Sequence, residues 1–211
     1  RAFMNKIFII KIIVLCLLSI KAYSIEKVVL FGDSLMAGYG LSNEHHLSTV
    51  LQESLQLKGH NIEVINGSVS GSTSSGGLNR VEWTLSEPNI DLIVLSLGAN
   101  DMLRGIKPSE TKSNLEKMIA LIKQNKSKVL LMQIRIPPNY GQKYMLAFEK
   151  IYKDLALSKE VYLIPFMLEE IGINSELMQP DGIHPNKKAQ SLIAKDVKKN
   201  IDKFLLINQS N

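Results

Sequence analysis

Five short runs dominated by Val, Ile and Leu recur along the chain: Lys27–Phe31, Ile62–Ile65, Leu92–Leu97, Lys128–Ile134 and Val161–Phe166. In Leu92-Ile93-Val94-Leu95 no polar residue alternates with the apolar ones, the pattern of a strand covered on both faces. Between the runs the apolar spacing changes to three and four. It picks out Leu47, Val50, Leu51 and Leu55, then Leu115, Met118, Ile119 and Ile122, then Met145, Phe148, Ile151, Tyr152 and Leu155. Between Lys187 and Leu205 it picks out Ile193, Val197 and Ile201, with lysines opposite. These stripes predict amphipathic helices whose apolar sides are core. Strand and helix alternate, so the expected class is α/β: a doubly wound three-layer α/β/α sandwich around a five-stranded parallel sheet, with right-handed crossovers. Such sheets bind ligands beyond the carboxyl ends of their strands, which is where candidate chemistry is to be sought.

The stretch before the first strand has a different pattern. Arg1 to Lys11 is basic without an acidic residue, Ile12 to Ile20 is apolar sequence broken only by Ser19, and Ala22-Tyr23-Ser24 has small residues at the spacing of a signal-peptidase site. Residues 1–24 are therefore expected to be a secretory signal cleaved near Ser24, with residues 25–211 forming one domain in the periplasm or medium. A retained anchor bracketed by Lys11 and Lys21 is the alternative. However, nine residues rising about 1.5 Å each cover only half of a roughly 30 Å bilayer core, so no stable membrane anchor is expected.

Removing this segment changes the electrostatic picture. The 211-residue chain has a formal charge of +5 from 25 basic and 20 acidic side chains, but Arg1, Lys6, Lys11 and Lys21 all lie in the leader. Without those four, 21 basic face 20 acidic side chains, a net of +1. No electrostatic case for nucleic acid survives. Cys16 is the single cysteine and leaves with the leader, which suits an oxidising compartment.

Three segments at strand ends carry candidate chemistry. Gly32-Asp33-Ser34-Leu35 follows the first strand and puts Ser34 where a helix should begin; read locally, it is equally a turn with a helix cap. Gly98-Ala99-Asn100-Asp101 follows the third, and Asn100 can donate an amide N–H to a developing oxyanion, or simply shape a turn. Asp181-Gly182-Ile183-His184-Pro185 precedes the last helix. Its three-residue spacing in a constrained loop lets a carboxylate fix the imidazole tautomer, so that the other nitrogen faces a serine. Pro185 restricts His184 to extended backbone, favouring a held loop. One fold brings all three segments together, which strengthens each.

These segments resemble the consensus blocks of the SGNH/GDSL hydrolases, with Ser34, Gly71, Asn100 and His184 at the four name-giving positions. Ile65–Thr73, Leu97–Gly105, Pro138–Gly141 and Met178–Asn186 resemble in particular the periplasmic multifunctional acyl-CoA thioesterase/lysophospholipase/arylesterase subgroup. The resemblance spans nearly all of residues 26–205. It implies a flavodoxin-like sandwich, no metal and no organic cofactor. It also implies catalytic Ser34, Asp181 and His184, with an oxyanion hole formed by the amides of Ser34 and Gly71 and the side chain of Asn100. The loops Leu103–Pro108 and Arg135–Tyr140 would border an acyl pocket, making Met102, Leu103, Ile106, Ile136 and Tyr140 the substrate-binding candidates. Expected substrates are small-molecule or lipid acyl esters and thioesters, turned over by a monomer. Gly67 and Ser72 depart from the subgroup, which favours a small non-glycine residue and Asp at those places.

Other readings are weaker. His45-His46 point about 100° apart on a helix and have no carboxylate or thiol cluster with them, which argues against a metal. Asp33 and Asp101 read as turn-holding residues, and Trp83 as core packing. A carbohydrate acetylesterase on the same fold and a non-catalytic flavodoxin-like binding protein are the rival functions; against the latter, no glycine-rich phosphate fingerprint follows the first strand.

Overall fold

The structure, a computed structural model, describes residues 25–135, 138–159 and 161–209; the expected leader, residues 1–24, lies outside them. The strands are β1 (Lys27–Gly32), β2 (Glu63–Asn66), β3 (Leu92–Ser96), β4 (Lys128–Met132) and β5 (Tyr162–Ile164). All pair in parallel, in the order β2-β1-β3-β4-β5. The helices are α1 (Ser34–Ala37), α2 (Leu47–Gln56), α3 (Ser74–Leu85), α4 (Ala99–Leu103), α5 (Pro108–Gln124), α6 (Gln142–Lys159) and α7 (Lys187–Gln209).

The unbroken apolar runs become strands because both faces of this sheet are covered. Successive side chains point to opposite faces. Val28 and Leu30 therefore enter a core shared with Leu51 and Leu55 of α2 and Ile193 and Val197 of α7. Val29 and Phe31 enter another, with Val81 of α3, Leu115 and Ile119 of α5 and Phe148 and Ile151 of α6. Three layers result, as expected, and the β1–β3 register sets Gly32 opposite Ser96. Three strands stop short of their apolar runs, β3 by one residue and β4 and β5 by two. Ile134, past the end of β4, stays buried, and Gln133 N–H still donates to Ile164 O at 2.9 Å, but ladder pairing has ended and the chain has turned into the loops over the sheet.

α3 has no clear apolar stripe. It begins at Thr73, whose hydroxyl accepts from Gly76 N–H, and it lies so close to the end of β3 that a Cβ at Gly77 would stand 2.2 Å from Cδ1 of Leu97, the residue after that strand. The helix therefore presents backbone where others present Leu. Trp83, expected in the core, is instead 80% exposed. Gly77, Val81 and Thr84 form the buried side, and at about 100° per residue Trp83 lies roughly 200° round from Val81.

Candidate active site

The loops at the carboxyl ends of β1, β2 and β3 converge on Ser34. Asp33 caps α1, its Oδ1 accepting from Leu35 N–H at 3.1 Å. That carboxylate is almost wholly buried, and burial pushes it up to about 6, against the opposing pull of the Leu35 N–H, the Asn100 amide and nearby His184. As read from the sequence, Asp33 holds the turn, which leaves Ser34 partly open at the helix start.

The chain beyond β2 stays fastened to the end of β1. Gly67 N–H donates to Leu30 O at 2.9 Å and Val69 N–H to Gly32 O at 3.1 Å, while Ser68 Oγ donates to Leu30 O and accepts from Gly32 N–H. Arg80 of α3 reaches beneath this junction, donating to Gly67 O and, at 2.9 Å, to Gly32 O, with its guanidinium carbon 3.8 Å from the Phe31 ring centre. Burial lowers the guanidinium to about 10, opposed by the nearby Asp33. Gly71 follows on this loop, its carbonyl accepting from Arg104 Nη2 at 3.0 Å.

Asn100 stands in the first turn of α4, beside the Asp33–Ser34 turn. Its Nδ2 lies 3.3 Å from Asp33 Oδ2 and 3.2 Å from Ser72 O, so both amide hydrogens already have acceptors. Work as an oxyanion donor requires one of these long bonds to be shared or exchanged. Asp101 is wholly buried: Oδ2 accepts from Ser74 N–H at 2.7 Å, while Oδ1 accepts from the hydroxyls of Ser74 and Thr111. It thereby ties α4 to the starts of α3 and α5.

The loop before α7 presents His184. Asp181 Oδ1 accepts the backbone N–H groups of Ile183 and His184 at 2.9 and 3.0 Å, and Oδ2 lies 2.7 Å from His184 Nδ1. These contacts, with the His184 backbone N–H first, hold Asp181 down at about 2. An ionised carboxylate only accepts, so Nδ1 carries the proton and Nε2, 2.9 Å from Ser34 Oγ, is left to accept from the hydroxyl. Asn186 closes the loop: it donates to Glu176 O and Met178 O and accepts from Lys188 N–H ahead of α7.

The pocket candidates fall in different settings. Leu103 and Tyr140 are exposed and Ile106 is half-buried. Met102, though adjacent, is buried in the core shared by α3, α5 and α6, and so supports its loop from below. Ile136 lies outside the described residues. His46 Nε2 contacts Leu41 O at 3.1 Å, and among the described residues no three His, Cys, Asp or Glu side chains gather as a metal site would require. The supporting contacts of Arg80 with Gly67 O and Gly32 O have no local pattern in the sequence to mark them.

A serine hydroxyl, an imidazole and a carboxylate in series at the strand ends of a parallel α/β sheet form the arrangement of a serine hydrolase. The chain belongs to the GDSL-like lipase/acylhydrolase family, whose profile matches residues 30–192, and it is an ester hydrolase. It is 44% identical over 188 residues to an arylesterase of Vibrio mimicus, covering 89% of this chain and 94% of that one. It is 40% identical over 180 residues, 85% of each chain, to thioesterase 1/protease 1/lysophospholipase L1 of Escherichia coli (strain K12). Among solved structures, the psychrotrophic esterase EstA from Pseudoalteromonas sp. superposes with a TM-score of 0.83 at 35% identity, covering 85% of this chain and 98% of that one.

Proposed function

We propose that Ser34 is the nucleophile, His184 the general base and acid, and Asp181 the residue that orients and charges against the imidazole. The observation carrying this reading is the series Asp181 Oδ2, His184 Nδ1, His184 Nε2, Ser34 Oγ, with separations of 2.7 and 2.9 Å across the two hydrogen bonds. As the hydroxyl oxygen attacks an acyl carbonyl, its proton passes to Nε2 and the imidazolium faces the Asp181 charge. The carbonyl oxygen gains negative charge, which the amides of Ser34 and Gly71 and the carboxamide of Asn100 stabilise. His184 then protonates the departing alcohol or thiol, and water repeats the cycle on the acyl-enzyme to release a free acid.

The substrates we propose are carboxylic esters and thioesters of the aryl ester, acyl-CoA and lysophospholipid types, with medium acyl chains. Names of relatives near 40% identity support the range, and exposed Leu103 with Tyr140 supports the chain length. Residues 1–24 support export to the periplasm or medium, where residues 25–211 would act as a monomer.

The test is a fluorophosphonate, which esterifies an activated serine, followed by p-nitrophenyl esters of graded length beside acyl-CoAs and lysophospholipids. Labelling should vanish in Ser34→Ala and His184→Ala. Rates should rise from acetyl to about hexanoyl, each buried methylene contributing up to roughly 0.8 kcal/mol. Strict preference for acetyl would favour the carbohydrate-esterase reading, and labelling that survives Ser34→Ala would place the nucleophile elsewhere.

A further inference from the structure

Ser34 and His184 are 150 positions apart, and they sit on segments that no strand pairing joins. Within residues 178–186 the bonds are local: Met178 bridges Pro185, Gln179 N–H donates to His184 O at 2.7 Å, and Asp181 folds onto His184. Such bonds shape the loop but do not aim it at the serine.

Among the described residues, two hydrogen bonds join this loop to residues 33–46. One is the Ser34–His184 contact itself. The other comes from Gln179, whose Nε2 gives one hydrogen to Tyr39 O at 2.7 Å and the other to Pro185 O at 3.1 Å. The carboxamide therefore spans the residue following His184 and the turn following α1. Gly40, at φ 74°, makes room for it: a Cβ there would stand 2.4 Å from Gln179 Oε1. The Tyr39 ring lies against His184 with centroids 4.5 Å apart and planes tilted by 36°. Asp181 and Ser34 hold the two nitrogens of the imidazole, and Tyr39 backs one of its faces.

Tyr39 is itself anchored. Leu41 N–H donates to Gly38 O at 3.0 Å, His46 Nε2 meets Leu41 O at 3.1 Å, and Asn66 Nδ2 donates to Ala37 O at 3.1 Å. The turn carrying the ring is thus continuous with the helix carrying the nucleophile. The ring remains about half exposed, so filling the core does not account for its placement.

We propose that Tyr39 and Gln179 are positioning residues: the Gln179 carboxamide straps the histidine loop to the nucleophile turn, and the Tyr39 ring holds the imidazole face so that Nε2 stays on Ser34. This rests on Ser34 and His184 being nucleophile and base. Misplacing a catalytic group by about 1 Å costs up to 10²-fold, so losing either contact should lower turnover without changing how tightly the acyl group binds.

The test uses Tyr39→Leu, Tyr39→Phe and Gln179→Met in the full-length protein, with two p-nitrophenyl esters of different chain length and a small fluorophosphonate. Tyr39→Leu and Gln179→Met should each lose about 10- to 100-fold in kcat, by the same factor for both esters, with KM within about two-fold. The fluorophosphonate labelling rate should fall in parallel, since the probe reads serine activation and has little acyl chain to bind. Tyr39→Phe keeps the ring and carbonyl and should restore activity to within about two-fold of wild type. The double variant should lose less than the product of the single losses, because both act through one imidazole. If Tyr39→Leu does not fold, Gln179→Met gives the same readings. The proposal is overturned by unchanged kcat and labelling, or by a loss that sits in KM and scales with chain length, which would make Tyr39 an acyl-pocket wall. Labelling that persists in His184→Ala would instead remove the underlying assignment of the base.

Discussion

Asn100→Ala separates the tie that this side chain makes in the structure from the oxyanion role proposed for it. Its amide donates to Asp33 Oδ2 at 3.3 Å and to Ser72 O at 3.2 Å, both at the long end of hydrogen-bond range. Losing two such weak bonds, in a half-buried place where water can replace part of them, should cost about 1–2 kcal/mol of stability. For a domain of this size that corresponds to a fall in Tm of roughly 2–8 °C. The catalytic cost should be larger, because the donor strengthens as charge develops on the carbonyl oxygen: about 10²–10³-fold in kcat, or roughly 2.7–4 kcal/mol, with KM within a few-fold. The assay is steady-state hydrolysis of a p-nitrophenyl ester with thermal unfolding in the same buffer. A protein that unfolds cooperatively a few degrees early yet keeps kcat within about three-fold of wild type would refute the oxyanion role. It would leave Asn100 as a tie between Asp33 and Ser72.

Further expectations follow from burial and close approach. Asp33 is held at about 6 against an ordinary 3.8, so the folded state binds this proton more tightly; its contribution to stability is full below about pH 4 and declines as pH rises through 6. Asp33→Asn should therefore gain on wild type across that window, by up to roughly 3 kcal/mol at pH 7 in chemical denaturation, and a difference independent of pH would contradict the burial argument. Gly77→Ala should destabilise by about 1–3 kcal/mol although a helix-interior Gly→Ala ordinarily stabilises, because the new Cβ would lie 2.2 Å from Leu97 Cδ1; a raised Tm would show that α3 can move away. Intact-mass measurement after native export should give a chain beginning near Ile25, and retention of residues 1–24 would reject the signal-peptide reading.

What could be read in advance depended on how local its cause was. The strands were legible because two-sided burial forces continuous apolar sequence, as in Leu92–Leu95, and α2, α5, α6 and α7 because each has a single apolar stripe. α3 was implied only by the alternation: its closest approach to the sheet is at Gly77, and a residue without a side chain leaves no hydrophobic mark, so nothing indicated that Trp83 would face outward. Ser34, Asn100 and the Asp181–His184 pair stand out as candidates because each lies at a strand end or in a short loop with its own local chemistry. Arg80 and Gln179 carry no such mark: their partners, Gly32 O and Tyr39 O, lie 48 and 140 positions away and become neighbours only through the topology. Met102 shows the limit of reading adjacency as role, since α4 turns it into the core while Leu103 beside it stays exposed.

The 150-residue separation of Ser34 and His184 also orders events in time. At translation rates of about 5–20 residues per second, the serine leaves the ribosome roughly 8–30 s before the imidazole that stands 2.9 Å from it in the folded chain. During that interval the chain lacks α7, whose Ile193 and Val197 share a core with Val28 and Leu30 of β1. The last helix and the loop before it thus complete the core and bring His184 to Ser34 together, so on the proposed mechanism a chain lacking them would not hydrolyse esters.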